Sequence, residues 1–254
     1  MIEIEQFPCL SDNYGYLIHD PKTEKTAAID TPEIAPILTV LEKKGWNLTH
    51  IFNTHHHYDH AGGNLELKEK TGCTIYGPRG ERDKIPGIDI AVDQDDSFSF
   101  GSYQVDVLNV GGHTLGHIAY HFPECGAAFV GDALFALGCG RMFEGTAEQM
   151  WGSLSKLSSL APHTSVFCAH EYTLSNAKFA VTVDPDNQAL LSRVQEIEAA
   201  RAENKPTVPT TIALELETNP FLRAGDQGIR AQLGMQDASD VAVFAEIRMR
   251  KDNF

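Results

Sequence analysis

Along the first thirty residues, apolar and polar positions follow a period of two. Ile2-Glu3-Ile4 alternates, Tyr14–Ile18 is an apolar run and Thr26–Ile29 is another, which predicts three short strands. The period then lengthens. Ile34, Ile37, Leu38 and Leu41 fall three and four apart behind Thr31-Pro32-Glu33, so a helix opens there and stops at Gly45. Thr49–Asn53 predicts a strand that runs straight into Thr54-His55-His56-His57-Tyr58-Asp59-His60, and a second helix is expected over about 61–71, ending at Gly72. Shorter strands are predicted at Cys73–Tyr76, Ser97–Phe100, Tyr103–Val110, His117–Phe122 and Ala127–Val130. Tyr103, Val105, Val107 and Val110 imply a half-buried strand with one shift of register. A helix from Thr146 to Leu160 and a strand at Thr164–Cys168 follow.

After His170 the pattern turns helical. Leu190, Val194 and Ile197 mark a helix over about 187–203, Pro206 and Pro209 break the chain, and Gln227–Leu233 and Ser239–Met249 read as helices. Strands with helices between them predict an α/β (α+β) fold of two sheets flanked by helices in four layers. The boundaries expected are residues 1–173 for a domain of mixed strands and helices and 174–254 for a small helical C-terminal domain.

Composition narrows the classes. With 42% apolar and 22% charged residues, the 254-residue chain is of ordinary globular type, which excludes disorder and collagen-like repeats. The net charge is −15, and no run of Lys or Arg interrupts it. Nucleic acid and anionic membrane are therefore not expected partners. No stretch approaches the ~18 apolar residues of a membrane span, and two early Glu without a basic leader predict no signal peptide. Five cysteines at 9, 73, 125, 139 and 168 form no CxxC pair, which points to buried free thiols in a reducing cytoplasm. A monomer is expected.

The histidines carry the chemistry. All 11 lie at or before position 170. In an extended segment, residues i and i+2 share a side, so His55 and His57 can bind one ion together. The turn that follows can aim Asp59 and His60 at a second. Further donors stand where apolar strands end: His113, Asp132 and His170. Imidazole and carboxylate without thiolate suit zinc, iron or manganese. His19, His50, His121 and His163 are expected to be ordinary core or surface residues. His56 and Tyr58 are expected to pack away from the ligand side, and His117 to be structural or a support to the ligands.

HxHxDH followed by distant His, Asp and His resembles the metallo-β-lactamase superfamily. GCGRMFEGTAEQM from Gly138, CAHEYTLSNAKFA from Cys168 and the terminal IRMRKDNF are similar to the hydroxyacylglutathione hydrolase (glyoxalase II) family, over essentially the whole length. The resemblance implies an αββα sandwich with a helical C-terminal domain and two divalent metal ions, zinc first, with iron or manganese as other occupants. It implies His55, His57 and His113 on one ion, Asp59, His60 and His170 on the other, and Asp132 bridging both. It implies glutathione contacts from Arg141, Phe143, Tyr172, Arg248 and Lys251. Some family members have Lys where Arg141 stands and Tyr where Phe143 stands. Phe143 lacks that hydroxyl and is expected to offer a backbone amide or an apolar contact. Arg248 and Lys251 lie three apart on a predicted helix and share a face.

The activity so implied is cleavage of an S-(2-hydroxyacyl)glutathione by a hydroxide held between the metals, with Asp59 and Asp132 as the catalytic carboxylates. A thiolate leaving group, with a conjugate-acid pKa near ~8.5, needs no strong general acid. Cys139 is not expected to act as a nucleophile. The competing expectation is a mononuclear iron dioxygenase of glutathione persulfide, against which the Phe143–Thr146 segment and the long helical C-terminus weigh.

Overall fold

A computed structural model describes all 254 residues, and the chain divides into two compact units. The first comprises Met1–Asn109 and Thr114–Gly131, and the second Val110–His113 and Asp132–Phe254.

The first unit contains β1 (Glu3–Cys9), β2 (Asn13–Asp20), β3 (Lys25–Ile29), α1 (Ile34–Lys44), β4 (Leu48–Phe52), α2 (Tyr58–Ala61), α3 (Asn64–Thr71), β5 (Thr74–Pro78) and β6 (Ile90–Val92). It continues with β7 (Ser97–Phe100), β8 (Tyr103–Asn109), β9 (Ile118–Phe122) and β10 (Ala127–Gly131). Strands β1 to β6 form one sheet in chain order, antiparallel from β1 to β3 and parallel from β3 to β6. Parallel neighbours need a crossover, which α1 supplies between β3 and β4. Strands β7 to β10 pair antiparallel as a meander.

Register decides which side chains share a face. Leu17, Ala28, Ile51 and Ile75 stand in line across β2 to β5, and they pack with Ile37, Leu41 and Leu67 from α1 and α3. One position along, Tyr16, Ile29, Phe52 and Tyr76 line the opposite face. There the Phe52 ring lies 5.2 Å from Tyr120, 5.3 Å from Phe98 and 5.5 Å from Phe100, so the two sheets of this unit close on an aromatic core. Because both faces are covered, β2 is buried at every residue.

The second unit contains the hairpin of β11 (Leu134–Phe135) and β12 (Gly138–Cys139), then α4 (Ala147–Ser158), β13 (Ser165–Cys168), α5 (Thr173–Val183), α6 (Gln188–Ala202), β14 (Thr210–Thr211), α7 (Ile212–Thr218), α8 (Gln227–Leu233) and α9 (Asp240–Asp252). Thr146 starts α4 with a capping box, exchanging bonds with Gln149. Ala177, Ala180, Leu190 and Ile197 from α5 and α6 enclose Leu137 of the hairpin. Phe244 of α9 packs on Trp151 and Phe221.

The expected α/β class, with two sheets and a helical C-terminal region, is present. Three local expectations change. The helix expected over 61–71 is two pieces, α2 and α3, interrupted at Gly62-Gly63. Strand β8 ends at Asn109 with its pairing to β9 unbroken, so Val110 lies beyond the strand and no register shift occurs. Helices α5 and α7 were not signalled by periodicity. The α5 sequence TLSNAKFAVTV carries three Thr or Val in its last four positions, which favours a strand locally. Burial of Ala177, Phe179, Ala180 and Val183 makes it a helix instead.

Phe52→Ala removes the ring shared by four aromatic neighbours. It is expected to lower stability by about 3–5 kcal/mol, read as a drop in the thermal or denaturant midpoint.

Candidate metal centre and cation-lined cavity

Strands β3 and β4 run parallel, so the residues that follow them emerge at one edge of the sheet, where open α/β sheets place their functional groups. Asp30 follows β3, and the segment from Asn53 to His60 follows β4. The Asp30 carboxylate is buried and accepts three bonds: from the Thr54 amide at 2.8 Å, the Thr54 hydroxyl at 2.8 Å and His60 Nδ1 at 2.8 Å. With its own proton given to Asp30, the Thr54 hydroxyl accepts from His55 Nδ1 at 3.1 Å. His55 and His60 therefore carry their protons on Nδ1 and present a lone pair at Nε2.

These lone pairs meet other donors of the motif. His55 Nε2 lies 3.0 Å from His57 Nδ1, and His60 Nε2 lies 3.5 Å from Asp59 Oδ2. The Asn13 side-chain amide donates to Asp59 Oδ2 at 3.0 Å and holds that carboxylate in place. Behind the cluster the His117 ring stacks on His55 at 4.5 Å. Gly131, at φ +49, stands where a Cβ would meet Thr54 Oγ1 at 2.6 Å and the His117 ring at 2.8 Å, so glycine is required there.

The second unit holds the other three predicted ligands. His113 Nδ1 donates to the Arg141 carbonyl at 2.8 Å, which again leaves the lone pair on Nε2. Asp132 offers Oδ2 to His113 Nε2 and Oδ1 to His170 Nε2, each at 3.4 Å. One carboxylate thus gives each oxygen to a different imidazole. Gly140 packs directly on the Asp132 carbonyl, leaving no room for a Cβ. The His170 ring lies flat on Tyr172, with centroids 4.7 Å apart and planes 2° from parallel. Phe135 meets both rings edge-on.

This donor chemistry fits metal. In neutral imidazole, an Nε2 lone pair facing a carboxylate oxygen has no proton to share, and a cation relieves the repulsion. His55, His57, Asp59 and His60 in the first unit, and His113, Asp132 and His170 in the second, are imidazole and carboxylate donors of the type that zinc, iron and manganese accept.

All five predicted glutathione contacts line one cavity of about 600 Å³ in the second unit, together with His113 and Asp132. Their roles divide. Arg248, 4% exposed, is pinned: Nη1 donates to the Cys139 carbonyl at 2.9 Å, and Nη2 to Asp252 at 2.8 Å. Arg141 is open to solvent, with 64% of its side chain exposed. Lys251 donates to the Ser175 carbonyl and hydroxyl, and burial, with Arg248 and Arg141 nearby, pulls its pKa down to about 8. The Phe143 amide is already given to the His113 carbonyl at 3.3 Å, so the backbone contact expected of it is spent and the exposed ring remains. Burial pushes the Cys139 thiol up to about 11 in spite of Arg248, which keeps it a thiol at neutral pH.

Two further expectations change. Tyr58 is not a packing residue: α2 begins at that position, the alternation ends, and the ring is 83% exposed. His56 does turn from its neighbours, but to a buried carboxylate. Glu81 accepts from both its amide, at 2.7 Å, and its Nδ1, at 2.8 Å. The supports missed by sequence reasoning are Asp30, Asn13 and Glu81. Asp30 had the signal that marked His113 and Asp132, a polar residue at the end of an apolar strand.

Two family models divide the chain: Metallo-beta-lactamase superfamily over residues 21–170, and Hydroxyacylglutathione hydrolase C-terminus over residues 171–254. The chain is 57% identical over 253 residues to the hydroxyacylglutathione hydrolase of Rhizobium meliloti, covering 100% of this chain and 99% of the relative. It is 58% identical over 254 residues to that of Hyphomonas neptunium, with the same coverage. Among solved structures, ETHE1 from Myxococcus xanthus matches with a TM-score of 0.68 at 25% identity over 98% of both chains. The B3 metallo-beta-lactamase BLEG-1 matches at 0.67 and 20% identity, over 87% of this chain and 99% of that one, which shows the shared fold.

Asp30→Asn replaces an acceptor of three bonds with a group that must donate at one oxygen position. It is expected to weaken metal binding ~10–100-fold, measured by titration against a chelator of known affinity.

Proposed function

The chain belongs to the hydroxyacylglutathione hydrolase family of the metallo-β-lactamase superfamily, and from that premise we propose that it hydrolyses S-(2-hydroxyacyl)glutathione thioesters. The principal substrate in this reading is S-D-lactoylglutathione. It yields glutathione and D-lactate, as in the second step of methylglyoxal detoxification. The observation that carries the reading is the composition of the cavity: His113 and Asp132, with metal-ligand chemistry, share it with the cations Arg141, Arg248 and Lys251. An anionic peptide thioester has both matching parts, carboxylates and a reactive carbonyl.

By motif position we assign His55, His57 and His113 to one ion, Asp59, His60 and His170 to the other, and Asp132 to both. Zinc is the first choice of occupant, with iron or manganese accepted by the same donors. Bound ions would supply water ionised near pH ~7 and positive charge for the oxyanion that develops on the carbonyl. The protein's own groups do the rest. Asp59, steadied by Asn13, orients the attacking water, and Asp132 presents one oxygen towards His113 and the other towards His170. Arg141 and Lys251 take the substrate carboxylates, Arg248 fixes the positive potential between them, and the Phe143 and Tyr172 rings flank the peptide. The thiolate leaves unaided, since its conjugate acid ionises near pH ~8.5. Residues 1–173 carry catalysis in this scheme and 174–254 complete substrate binding. The protein would act as a monomer in the cytoplasm, where its five free thiols stay reduced. No helix is long and apolar enough to cross a membrane.

The test is cleavage of S-D-lactoylglutathione by purified protein, with and without chelator, beside metal content per chain. Chelator-sensitive cleavage with about two ions per chain is expected from a two-metal site. One iron per chain, with oxygen uptake on a glutathione persulfide, would establish the dioxygenase instead. Asp132→Ala should lose metal and nearly all turnover.

Lys251 also predicts a pH dependence. It is charged below its pKa of about 8 and neutral above, so affinity for an anionic substrate is held below pH 8 and lost as pH rises through it. KM is expected to rise roughly 10-fold from pH 7 to 9, the equivalent of ~1.4 kcal/mol for one ion contact. Lys251→Met should show the high KM throughout and no such rise.

A further inference from the structure

The hairpin of β11 and β12 begins two residues after Asp132 and supplies Phe135 and Cys139 to the cavity wall. Its turn is unusual. Leu137 sits at φ +57, a left-handed conformation that disfavours a residue with a Cβ, and yet it is fully buried. Such a conformation persists only where the surroundings over-determine it.

Those surroundings are explicit. The Leu137 amide donates to Glu215 Oε2 at 2.9 Å. Asn219 Nδ2 donates to the Phe135 carbonyl at 3.2 Å, to the Gly138 carbonyl at 3.0 Å and to Glu215 Oε2 at 2.8 Å. Asn176 Nδ2 takes the Ala136 carbonyl at 3.1 Å. Glu215 is itself clamped: its Oε1 accepts from Arg193 Nη2 and Thr210 Oγ1, each at 2.6 Å, and it is wholly buried. At the far end of the hairpin, the Cys139 carbonyl accepts Arg248 Nη1. An ion pair in the helical region is thus linked to a cation of the cavity by hydrogen bonds to the two ends of one short stretch of hairpin backbone.

We propose that Glu215 is a positioning residue for the substrate, whose carboxylate sets the hairpin and, through the Cys139 carbonyl, the guanidinium of Arg248. The assignment rests on the glutathione reading of the cavity. An ion pair serving stability alone could be exchanged for apolar side chains without effect on the cavity. A positioning carboxylate could not, because the Leu137 amide would lose its acceptor and the strained turn its reason to persist.

Two double variants separate these roles without stranding a buried charge. Arg193→Met with Glu215→Gln keeps an oxygen for the Leu137 amide, and Arg193→Met with Glu215→Leu removes it. Calorimetric binding of S-methylglutathione, a thioether that cannot be hydrolysed, is the readout, with the thermal midpoint recorded alongside. The Gln pair is expected to bind within about 2-fold of the unaltered protein and the Leu pair about 10-fold more weakly, as for impairment of one hydrogen-bonded contact to a charged group. Asn219→Ala leaves the ion pair intact, guards against a Leu pair that does not fold, and should weaken binding about as much. Unaltered affinity in the Leu pair or in Asn219→Ala, with only the melting temperature lowered, overturns the proposal. An unaltered protein that does not bind S-methylglutathione overturns the glutathione reading itself.

Discussion

The placement of protons on three imidazoles is the condition on which the candidate centre depends. A histidine can offer a metal one nitrogen only if its other proton is held elsewhere. Asp30 does this for His60 directly and for His55 through the Thr54 hydroxyl, and the Arg141 carbonyl does it for His113. The cost of burying the Asp30 carboxylate is offset because it accepts three bonds at once. The parallel run of β3 beside β4 makes this possible, since it brings the residue after one strand to the segment after the next.

Local charge, not net charge, governs the cavity. The chain carries −15, a field that repels an anionic peptide at long range, yet three cations line one hollow of about 600 Å³. The three are differently prepared. Arg248 is buried and bonded at both ends of its guanidinium, so its position is set before any ligand arrives. Such preorganisation lowers the entropy lost on binding. Arg141 is mostly exposed, with its Nε 3.8 Å from Asp252. Lys251 is partly desolvated, which brings its titration close to physiological pH.

The hairpin after Asp132 shows how a short, poorly self-bonded element is made rigid. A two-residue ladder cannot hold itself in water. Here Asn176, Glu215 and Asn219 take the main-chain groups of residues 135 to 138, and Leu137 plugs the cluster between α5 and α6. Helices far along the chain thereby determine the shape of a wall that the hairpin alone could not maintain.

Much of this was legible in the sequence, because it lies in short-range patterns. Alternation along an extended segment put His55 and His57 on one side, strand ends marked His113, Asp132 and His170, and a spacing of three placed Arg248 and Lys251 on one helix face. Periodicity also located most strands and the long helices. What it could not supply depends on atoms brought from tens of residues away. The helical state of α5 comes from burial that outweighs its β-branched residues. The use of the Phe143 amide, the pinning of Arg248 by Cys139 and Asp252, and the lowered pKa of Lys251 arise from neighbours chosen by folding. The residue types of the chemistry were thus set by local sequence. Their proton positions, their freedom and their charge were decided only by tertiary structure, because hydrogen bonding and desolvation act through space and not along the chain.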